Sequence, residues 1–258
     1  MIDTSGRVHL GICLPSMGTH LTETALSILA MGIVNENNGI YQSIFNQQQA
    51  SVSCCRNLIV KDVLDAGNVD YTLWVDADMA FNPDLAVRLL RHNVDIVGAS
   101  YPQRMPPYRT NGRFKEEFRP GLIEADFMPF GAMLVKTEVF RNIRYPWFFE
   151  SYQFEGSSSE QMISALSCAL NADLTAEFKD QMTQLIEKHY PEAGENATRL
   201  TGLRGEDANF CREAQRAGYK IWCDCDITMG MVHIGKQCVS LGGSIPGMPV
   251  GRPEENRK

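Results

Sequence analysis

Residues 71–83 read YTLWVDADMAFNP, and this stretch decides the fold. Its first five residues are apolar or aromatic apart from one threonine, which is typical of a buried strand. Two carboxylates, Asp76 and Asp78, follow at once. Asn82 and Pro83 then predict the start of a helix, because asparagine is a good N-cap and proline suits the first helical position. The acids are therefore predicted to lie in a turn between a strand and a helix, where open α/β sheets bind ligands.

Two carboxylates in one tight turn repel each other unless a cation lies beside them. Oxygen ligands suit Mg²⁺ or Mn²⁺, and such ions keep open coordination positions for substrate phosphates. Asp-x-Asp alone is also common in surface turns, so its meaning depends on the rest of the chain. Its place after a buried strand favours a divalent metal site.

The bulk composition is that of an ordinary globular protein. The chain has 258 residues, of which 44% are hydrophobic and 21% charged, and this suits one large domain or one domain with a subdomain. We expect no membrane span, no signal peptide and a cytoplasmic location, since no apolar run is long enough to cross a bilayer. Eight cysteines in a chain of this length do not make a disulfide scaffold. The net charge of −7 argues against broad nucleic-acid binding.

Apolar runs and helical periodicities alternate along the first hundred residues. Such β-α-β-α-β-α-β alternation predicts an α/β fold with a Rossmann-like, mainly parallel central sheet flanked by helices. The predicted strands are 8–14, 40–45, 71–76 and 94–99, and the predicted helices are 22–33, 52–66 and 83–92.

The pattern changes after residue 100. Residues 101–121 carry four prolines and five basic against two acidic side chains, a local charge of +3. Either a solvated loop or a flap that closes over phosphates fits this composition.

A further strand is predicted at 127–135, where Gly131 would let a ligand approach. Residues 157–200 predict a helical insertion, which suits an acceptor lid or a contact between copies in a homo-oligomer.

The remaining segments complete the domain. Glu206 and Asp207 are predicted to open a helix that ends before Gly218, and acids in a first helical turn are often only partners of the helix dipole. Two short strands should follow, with His233 directly after the second. We therefore predict one domain, 1–241, with the insertion at 157–200, the last strands at 219–223 and 227–232, and a flexible tail at 242–258.

Four segments together resemble glycosyltransferases of the GT-A fold, closest to the family-2-like group that includes small versions found in phage genomes. The resemblance covers roughly residues 7–236 and implies transfer of a sugar from a nucleotide-diphospho-sugar, with a UDP-sugar as the expected donor. The four segments are the first strand ending in Pro15-Ser16, Asp76-Ala77-Asp78, Gly205-Glu206-Asp207-x-x-Phe210, and His233.

The resemblance also implies residues for the nucleotide. Pro15 and Ser16 would line the nucleotide pocket, while Arg56 and Asn57 would contact the base or a phosphate. Asp76 would hold the ribose or a metal-bound water. Ala77 would lie in the same donor-binding turn.

A metal site and a catalytic base complete what the resemblance implies. Asp78 and His233 would ligate the metal, and a histidine ligand favours Mn²⁺ over Mg²⁺. The metal would neutralise the charge that develops on the leaving diphosphate. Asp207 would be the general base of an inverting transfer, with Glu206 as its neighbour on the acceptor side. Glycans, proteins, lipids and modified nucleobases in DNA all remain candidate acceptors.

Three alternatives stay open at this point. A sugar nucleotidyltransferase would share the sheet and the acids, but it normally has a basic, glycine-rich signature where residues 11–18 have no basic residue. A non-catalytic nucleotide-sugar-binding protein would have lost turnover. A zinc site is the third alternative, and it would use Cys223, Cys225, His233 and Cys238.

Overall fold

The computed structural model describes residues 7–103, 109–155, 199–234 and 238–240, together with five residues between 175 and 184. The chain divides into two compact units, one made of Met1–Phe149 with Glu206–Lys258 and the other of Glu150–Gly205. The described strands of the second unit form an antiparallel pair. The predicted tail, and all but a few residues of the predicted helical insertion, lie outside the described residues.

A single eight-stranded sheet organises the larger unit, and its strands lie side by side in the order Ile40–Gln48, Val8–Ser16, Tyr71–Val75, Ala132–Lys136, Ile96–Gly98, Ile221–Asp224, Leu122–Phe127 and Arg113–Phe114. The predicted alternation is confirmed, because the first, second, third and fifth strands all run in one direction. The strands are β1 (Val8–Ser16), β2 (Ile40–Gln48), β3 (Tyr71–Val75), β4 (Met79–Ala80), β5 (Ile96–Gly98), β6 (Arg113–Phe114), β7 (Leu122–Phe127), β8 (Ala132–Lys136), β9 (Ser151–Glu155), β10 (Arg199–Arg204), β11 (Ile221–Asp224), β12 (Val232–Ile234) and β13 (Cys238–Ser240).

Helices cover the sheet, and several of their ends agree with the sequence. The helix predicted at 52–66 has those bounds, and Gly67 follows it with a φ of 74°. Gly218 ends its helix as predicted, with a φ of 91°, a conformation that favours glycine. The described helices are α1 (Thr22–Asn37), α2 (Val52–Ala66), α3 (Leu85–Arg91), α4 (Thr137–Asn142), α5 (Glu206–Arg216) and α6 (Cys225–Thr228).

Both faces of strand β3 are buried, which accounts for its mainly apolar sequence. Leu73 and Val75 point into a core of mainly aliphatic side chains, while Trp74 points into a cluster of aromatic rings on the opposite face. All three side chains are fully buried. The acidic turn after β3 therefore starts from a strand that is buried on both faces. The rings around Trp74 are Phe130, Phe140 and Phe148.

The helix after the acidic turn begins later than predicted. We expected Asn82 and Pro83 to start it, but α3 begins at Leu85 and Asp84 occupies the N-cap position. The chain first forms β4, which pairs antiparallel with β12. This pairing keeps the backbone extended beyond Asp78.

The strand predicted at 127–135 is two strands. Pro129 lies in the break between β7 and β8, and proline removes a ladder hydrogen bond from a sheet interior. Strand β8 then inserts antiparallel between β3 and β5, so the sheet is mixed rather than wholly parallel. Gly131 admits no ligand here, because the ring of Tyr101 lies against it.

The strand predicted at 227–232 is also wrong. Asp224 accepts a hydrogen bond from the Ile227 backbone N–H over 2.7 Å and so caps the short helix α6. The strand β12 that follows contains His233 as its middle residue. The histidine is therefore fixed by a sheet ladder and does not lie in a loop after a strand.

The basic segment after residue 100 is described at 101–103 and 109–121. Lys115 pairs with Glu124 at 2.6 Å, and Arg119 pairs with Glu116 at 2.7 Å. Part of the local positive charge is therefore neutralised within the segment and by β7. These contacts favour the solvated-loop interpretation for the described part.

Two further findings concern membrane-spanning helices and cysteine thiols in the described part of the chain. Among the described helices, none has the length and apolar character that crossing a membrane requires. The thiols of six cysteines are free, namely those of Cys13, Cys54, Cys55, Cys211, Cys223 and Cys225.

Gly98 offers a test of the unexpected position of β8. A Cβ added at Gly98 would lie 2.7 Å from the backbone oxygen of Ala132, at the pairing of β5 with β8. Gly98→Ala should therefore lower the free energy of unfolding by about 1–3 kcal/mol, the usual cost of overpacking. Gly18→Ala is the matched control, since a Cβ there meets nothing within 4 Å. Equal stability of the two variants in urea unfolding would contradict the packing of β8 against β5.

Candidate active site

The acidic turn after β3 is held against helix α1. The Ala77 carbonyl oxygen accepts hydrogen bonds from the Leu21 N–H over 2.9 Å and from the Thr24 hydroxyl over 3.0 Å. Both polar contacts fix the backbone between the two acids. Asp76 and Asp78 remain partly exposed, with 26% and 21% of their side chains accessible. Ala77 thus serves the turn through its carbonyl group.

Pairing of β4 with β12 brings Asp78 and His233 together across 155 residues of sequence. Met79 lies opposite His233 in this ladder, and the Ile234 N–H donates to the Asp78 carbonyl oxygen over 2.8 Å. The Asp78 Oδ2 atom lies 3.6 Å from His233 Nε2. The predicted juxtaposition of these two residues is therefore present in the fold.

The other ring nitrogen of His233 determines which nitrogen faces the carboxylate. His233 Nδ1 lies 2.9 Å from the Pro102 carbonyl oxygen, which can only accept. In the neutral ring the proton is therefore on Nδ1, and the basic nitrogen Nε2 faces Asp78. Histidine ligands of metals usually donate their second N–H in this way.

The separation of the two side chains suits a shared divalent ion. Metal–nitrogen and metal–oxygen bonds of about 2.0–2.2 Å place two neighbouring ligand atoms roughly 3–3.6 Å apart. Asp78 Oδ2 and His233 Nε2 lie at 3.6 Å. No group of three or more histidine, cysteine or acidic side chains able to hold a metal occurs among the described residues. An ion on this pair would have further coordination positions for substrate and water. The side chain of Cys238, one of the four residues of the zinc alternative, lies outside what the structure describes.

Tyr101 contacts both Asp76 and His233, and the sequence did not identify it as a residue of the site. Its hydroxyl donates to Asp76 Oδ2 over 3.4 Å, and its ring meets the His233 ring edge-on at 4.9 Å between centroids. Burial, and next the neighbouring Asp76 carboxylate, raise the pKa of Tyr101 well above its usual value. The hydroxyl therefore stays protonated and acts as a donor. Tyr101 lies just after the strand predicted at 94–99, and this position was the signal available in the sequence.

Arg56 is the cation at the centre of the acidic side chains. It comes from the inward face of α2 and is only 2% exposed. Arg56 Nη2 donates to Asp76 Oδ1 over 2.9 Å. Its Nη1 donates to Glu206 Oε1 over 2.9 Å and also to Asp207 Oδ1. One guanidinium thus contacts three carboxylates.

Two aromatic rings enclose this guanidinium. The Arg56 Cζ atom lies 5.2 Å from the centroid of the Phe130 ring and 5.6 Å from that of Phe148. These are cation–π distances. The Phe130 backbone N–H also donates to Asp207 Oδ2 over 3.2 Å, so both oxygens of Asp207 are bonded.

The structure changes the expected roles of Arg56 and Asn57. The terminal nitrogens of Arg56 are engaged by carboxylates, which replaces the expected contact with a base or phosphate. The Asn57 amide donates to the Ser53 and Phe148 carbonyl oxygens and accepts from the Trp147 and Phe148 N–H groups. Asn57 therefore has a structural role. The Arg56 guanidinium also contacts both Glu206 and Asp207 and so reduces the repulsion between these two carboxylates.

Pro15 and Ser16 lie at the carboxyl end of β1, beside the acidic turn. Both are buried, and the Ser16 hydroxyl accepts a hydrogen bond from the Gly18 N–H over 3.0 Å. Residues 17–19, which follow, are exposed. The accessible surface of this corner therefore consists mainly of these three residues.

The assembled site carries excess negative charge. Asp76, Asp78, Glu206 and Asp207 contribute four carboxylates and Arg56 contributes one guanidinium, which gives −4 + 1 = −3 with His233 neutral. A diphosphate would be repelled by this field. A divalent cation beside Asp78 would reduce it, so the electrostatics favour a metal before a phosphate ligand.

Titration of Tyr101 tests its burial between Asp76 and His233. An unfolded tyrosine ionises near pH 10, whereas the folded pKa is raised. Its contribution to stability is therefore complete below about pH 10 and is lost as the pH rises toward the folded value. Tyr101→Phe should reduce the fall in the free energy of unfolding above about pH 10 by up to about 1.4 kcal/mol per pH unit.

Urea unfolding of the wild type and of Tyr101→Phe across this pH range measures the effect. Tyr145→Phe is the matched control, because Tyr145 is 66% exposed. Identical pH slopes for the wild type and Tyr101→Phe would contradict the enclosed position of the hydroxyl.

No protein-family model matches the chain, and no curated protein matches it. Among solved structures the chain is similar to A197 from STIV, with a TM-score of 0.52 and 14% identity over 97% of this chain and 100% of that chain. Two further matches have TM-scores too low to carry an argument. They are a glycosyltransferase involved in the glycosylation of the major capsid of PBCV-1 (0.32, 10% identity, 72% of this chain, 79% of that chain) and S. aureus TarS 1-349 in complex with UDP-GlcNAc (0.35, 16% identity, 71% of this chain, 73% of that chain).

The similarity to A197 extends over nearly the whole of both chains and, at 14% identity, concerns the fold alone. At that level the predicted α/β class is confirmed, with a mixed, mostly parallel, GT-A-like central sheet flanked by helices.

Proposed function

We propose that this chain is a metal-dependent glycosyltransferase that moves a sugar from a nucleotide-diphospho-sugar to an acceptor hydroxyl. The observation that carries the proposal is the Asp78–His233 pair, set 3.6 Å apart by the β4–β12 ladder beside a site of net charge −3. A divalent ion held by few protein ligands keeps coordination positions for substrate phosphates. The leaving nucleoside diphosphate of a sugar transfer is such a substrate group, and its developing charge needs a cation.

The metal would be held by Asp78 Oδ2 and His233 Nε2. Its other positions would take diphosphate oxygens and water, since Mg²⁺ and Mn²⁺ sites of this kind use few protein ligands. The imidazole favours Mn²⁺. When bound, the ion supplies Lewis-acid stabilisation of the leaving diphosphate. Pro102 would keep the ring of His233 in the tautomer that ligates.

The nucleotide would lie along the carboxyl ends of β1 and β3. Residues 17–19 are exposed beside the buried Pro15 and Ser16, and they would meet the base. Asp76 would face the ribose, with Tyr101 donating to the carboxylate and fixing its orientation. We propose a UDP-sugar as the first donor to test.

The acceptor would approach from the start of α5. Its hydroxyl oxygen would form the new bond to the anomeric carbon as the bond to the diphosphate oxygen breaks, and the electron pair of that bond would leave with the diphosphate. Asp207 would take the hydroxyl proton as general base, and the anomeric configuration would invert. Glu206 is the second carboxylate at this position and is bonded through one oxygen in the described contacts. Glycans, proteins and modified nucleobases in DNA are the acceptor classes to screen.

The two rival functions separate in one assay. A nucleotidyltransferase would consume a sugar phosphate and a nucleoside triphosphate with release of pyrophosphate. A non-catalytic binder would hold the donor without hydrolysing it. Release of free UDP from a UDP-sugar in the presence of Mn²⁺ is expected only of the transferase.

Removal of either proposed ligand should abolish metal-dependent nucleotide binding. Loss even of a group that supports a metal ligand costs about 10–100-fold in metal affinity, so loss of the ligand itself should cost at least as much. Asp78→Ala and His233→Ala should therefore bind UDP with Mn²⁺ no better than without it, as measured by calorimetry. Asp95→Asn is the control, because Asp95 is exposed and pairs with Lys136. Wild-type affinity in both ligand variants would remove the metal assignment.

Asp207→Asn tests the proposed base. The substitution keeps the shape of the side chain, so donor binding should persist while turnover falls by about 10²–10⁴-fold, the usual worth of general-base catalysis. Glu206→Gln is the matched comparison, since Glu206 contacts the same guanidinium, and its loss should be smaller. A larger loss for Glu206→Gln, or retention of the anomeric configuration seen by NMR, would refute the assignment.

A further inference from the structure

We propose that Arg56 is a positioning residue that ties the acidic turn after β3 to the start of α5. Through this tie it sets the distance between the donor side and the acceptor side of the site. The kinetic part of this inference rests on the proposed function. The part that concerns binding of free guanidinium ion to an Arg56→Ala variant does not rest on it.

The guanidinium connects segments that are remote in sequence. Asp76 lies 20 residues from Arg56, whereas Glu206 and Asp207 lie 150 and 151 residues away. Nη2 serves the turn and Nη1 serves the helix start, so each side of the site has its own nitrogen. Among the described residues, Arg56 is the one side chain hydrogen-bonded to both segments.

The surroundings hold the guanidinium in one place. Arg56 is 2% exposed, and the rings of Phe130 and Phe148 lie 5.2 and 5.6 Å from its Cζ atom. Its Nε atom is buried and has no hydrogen-bond partner within the described parts of the chain. The two terminal nitrogens therefore make all of its polar contacts there, and both point at carboxylates.

A role in stability alone explains this arrangement poorly. A buried ion pair must offset the desolvation of every charge in it, and replacement by apolar side chains is often neutral or stabilising. Here one buried cation contacts three partly exposed carboxylates, which leaves them undercompensated. The arrangement is better suited to hold acidic groups at fixed separations, where small misplacements reduce catalysis strongly.

Lysine cannot reproduce the contacts that the two terminal nitrogens of Arg56 make. An ammonium group is a compact point charge on a flexible stem, whereas the planar guanidinium presents two terminal nitrogens at a fixed separation. Arg56→Lys keeps the charge, so the variant should fold, but it should lose the fixed separation. We expect kcat to fall by about 10²-fold at a temperature where the variant is fully folded, which is the cost of a misplacement of about 1 Å.

Chemical rescue provides the second arm. Arg56→Ala should leave a gap lined by three carboxylates and two rings, which guanidinium ion fits. Millimolar guanidinium chloride should raise the melting temperature of Arg56→Ala relative to the same concentration of sodium chloride, and it should restore part of the lost kcat. Arg141→Ala is the control, because Arg141 is exposed and pairs only with Glu138 among its described contacts, and neither effect is expected there.

The two arms separate this inference from the proposed function. Absence of turnover by the wild type with every donor would remove the proposed function, while guanidinium-dependent stabilisation of Arg56→Ala would still support the tie. Wild-type kcat in a folded Arg56→Lys would overturn the positioning role. Equal responses of Arg56→Ala and Arg141→Ala to guanidinium would overturn it as well. If Arg56→Ala does not fold, the kcat of Arg56→Lys decides the question.

Discussion

The antiparallel pairing of β4 with β12 is the constraint on which the site depends. It is a short ladder, yet it joins the turn after β3 to a strand that lies more than 150 residues later. The pairing sets Asp78 opposite the strand that carries His233, and the Pro102 carbonyl group then selects the ring nitrogen that faces the carboxylate. Without this ladder the two side chains would belong to separate loops.

The charges near Asp78 and His233 are only partly balanced within the protein. Arg56, buried below the turn, neutralises part of the charge of Asp76, Glu206 and Asp207 and leaves the outer side of the site negative. A cation that enters beside Asp78 would complete the balance and convert the site into one that accepts phosphate. The core explains why Arg56 is tolerated inside, since aromatic rings flank it in place of aliphatic side chains.

Local patterns in the sequence predict much of this. The mainly apolar run 71–75 predicts a buried strand, which the structure confirms, and Trp74 packs on the face opposite to Leu73 and Val75. What the sequence does not predict depends on long-range pairing. Strand β8 enters the sheet antiparallel, and Met79–Ala80 becomes a strand only because Val232–Ile234 lies beside it. The two missed roles, those of Tyr101 and Arg56, have the same origin. Arg56 shares the inward face of α2 with Ile59, which was a local signal, but its partners come from distant segments.

The most direct test of the metal-dependent site is anomalous diffraction from crystals of the protein with Mn²⁺ and UDP, recorded on both sides of the manganese absorption edge. We expect one strong anomalous peak, about 2.0–2.2 Å from both Asp78 Oδ2 and His233 Nε2, with diphosphate oxygens completing the coordination. A nucleotide bound without a peak at this position, or a peak held by other side chains, would contradict it.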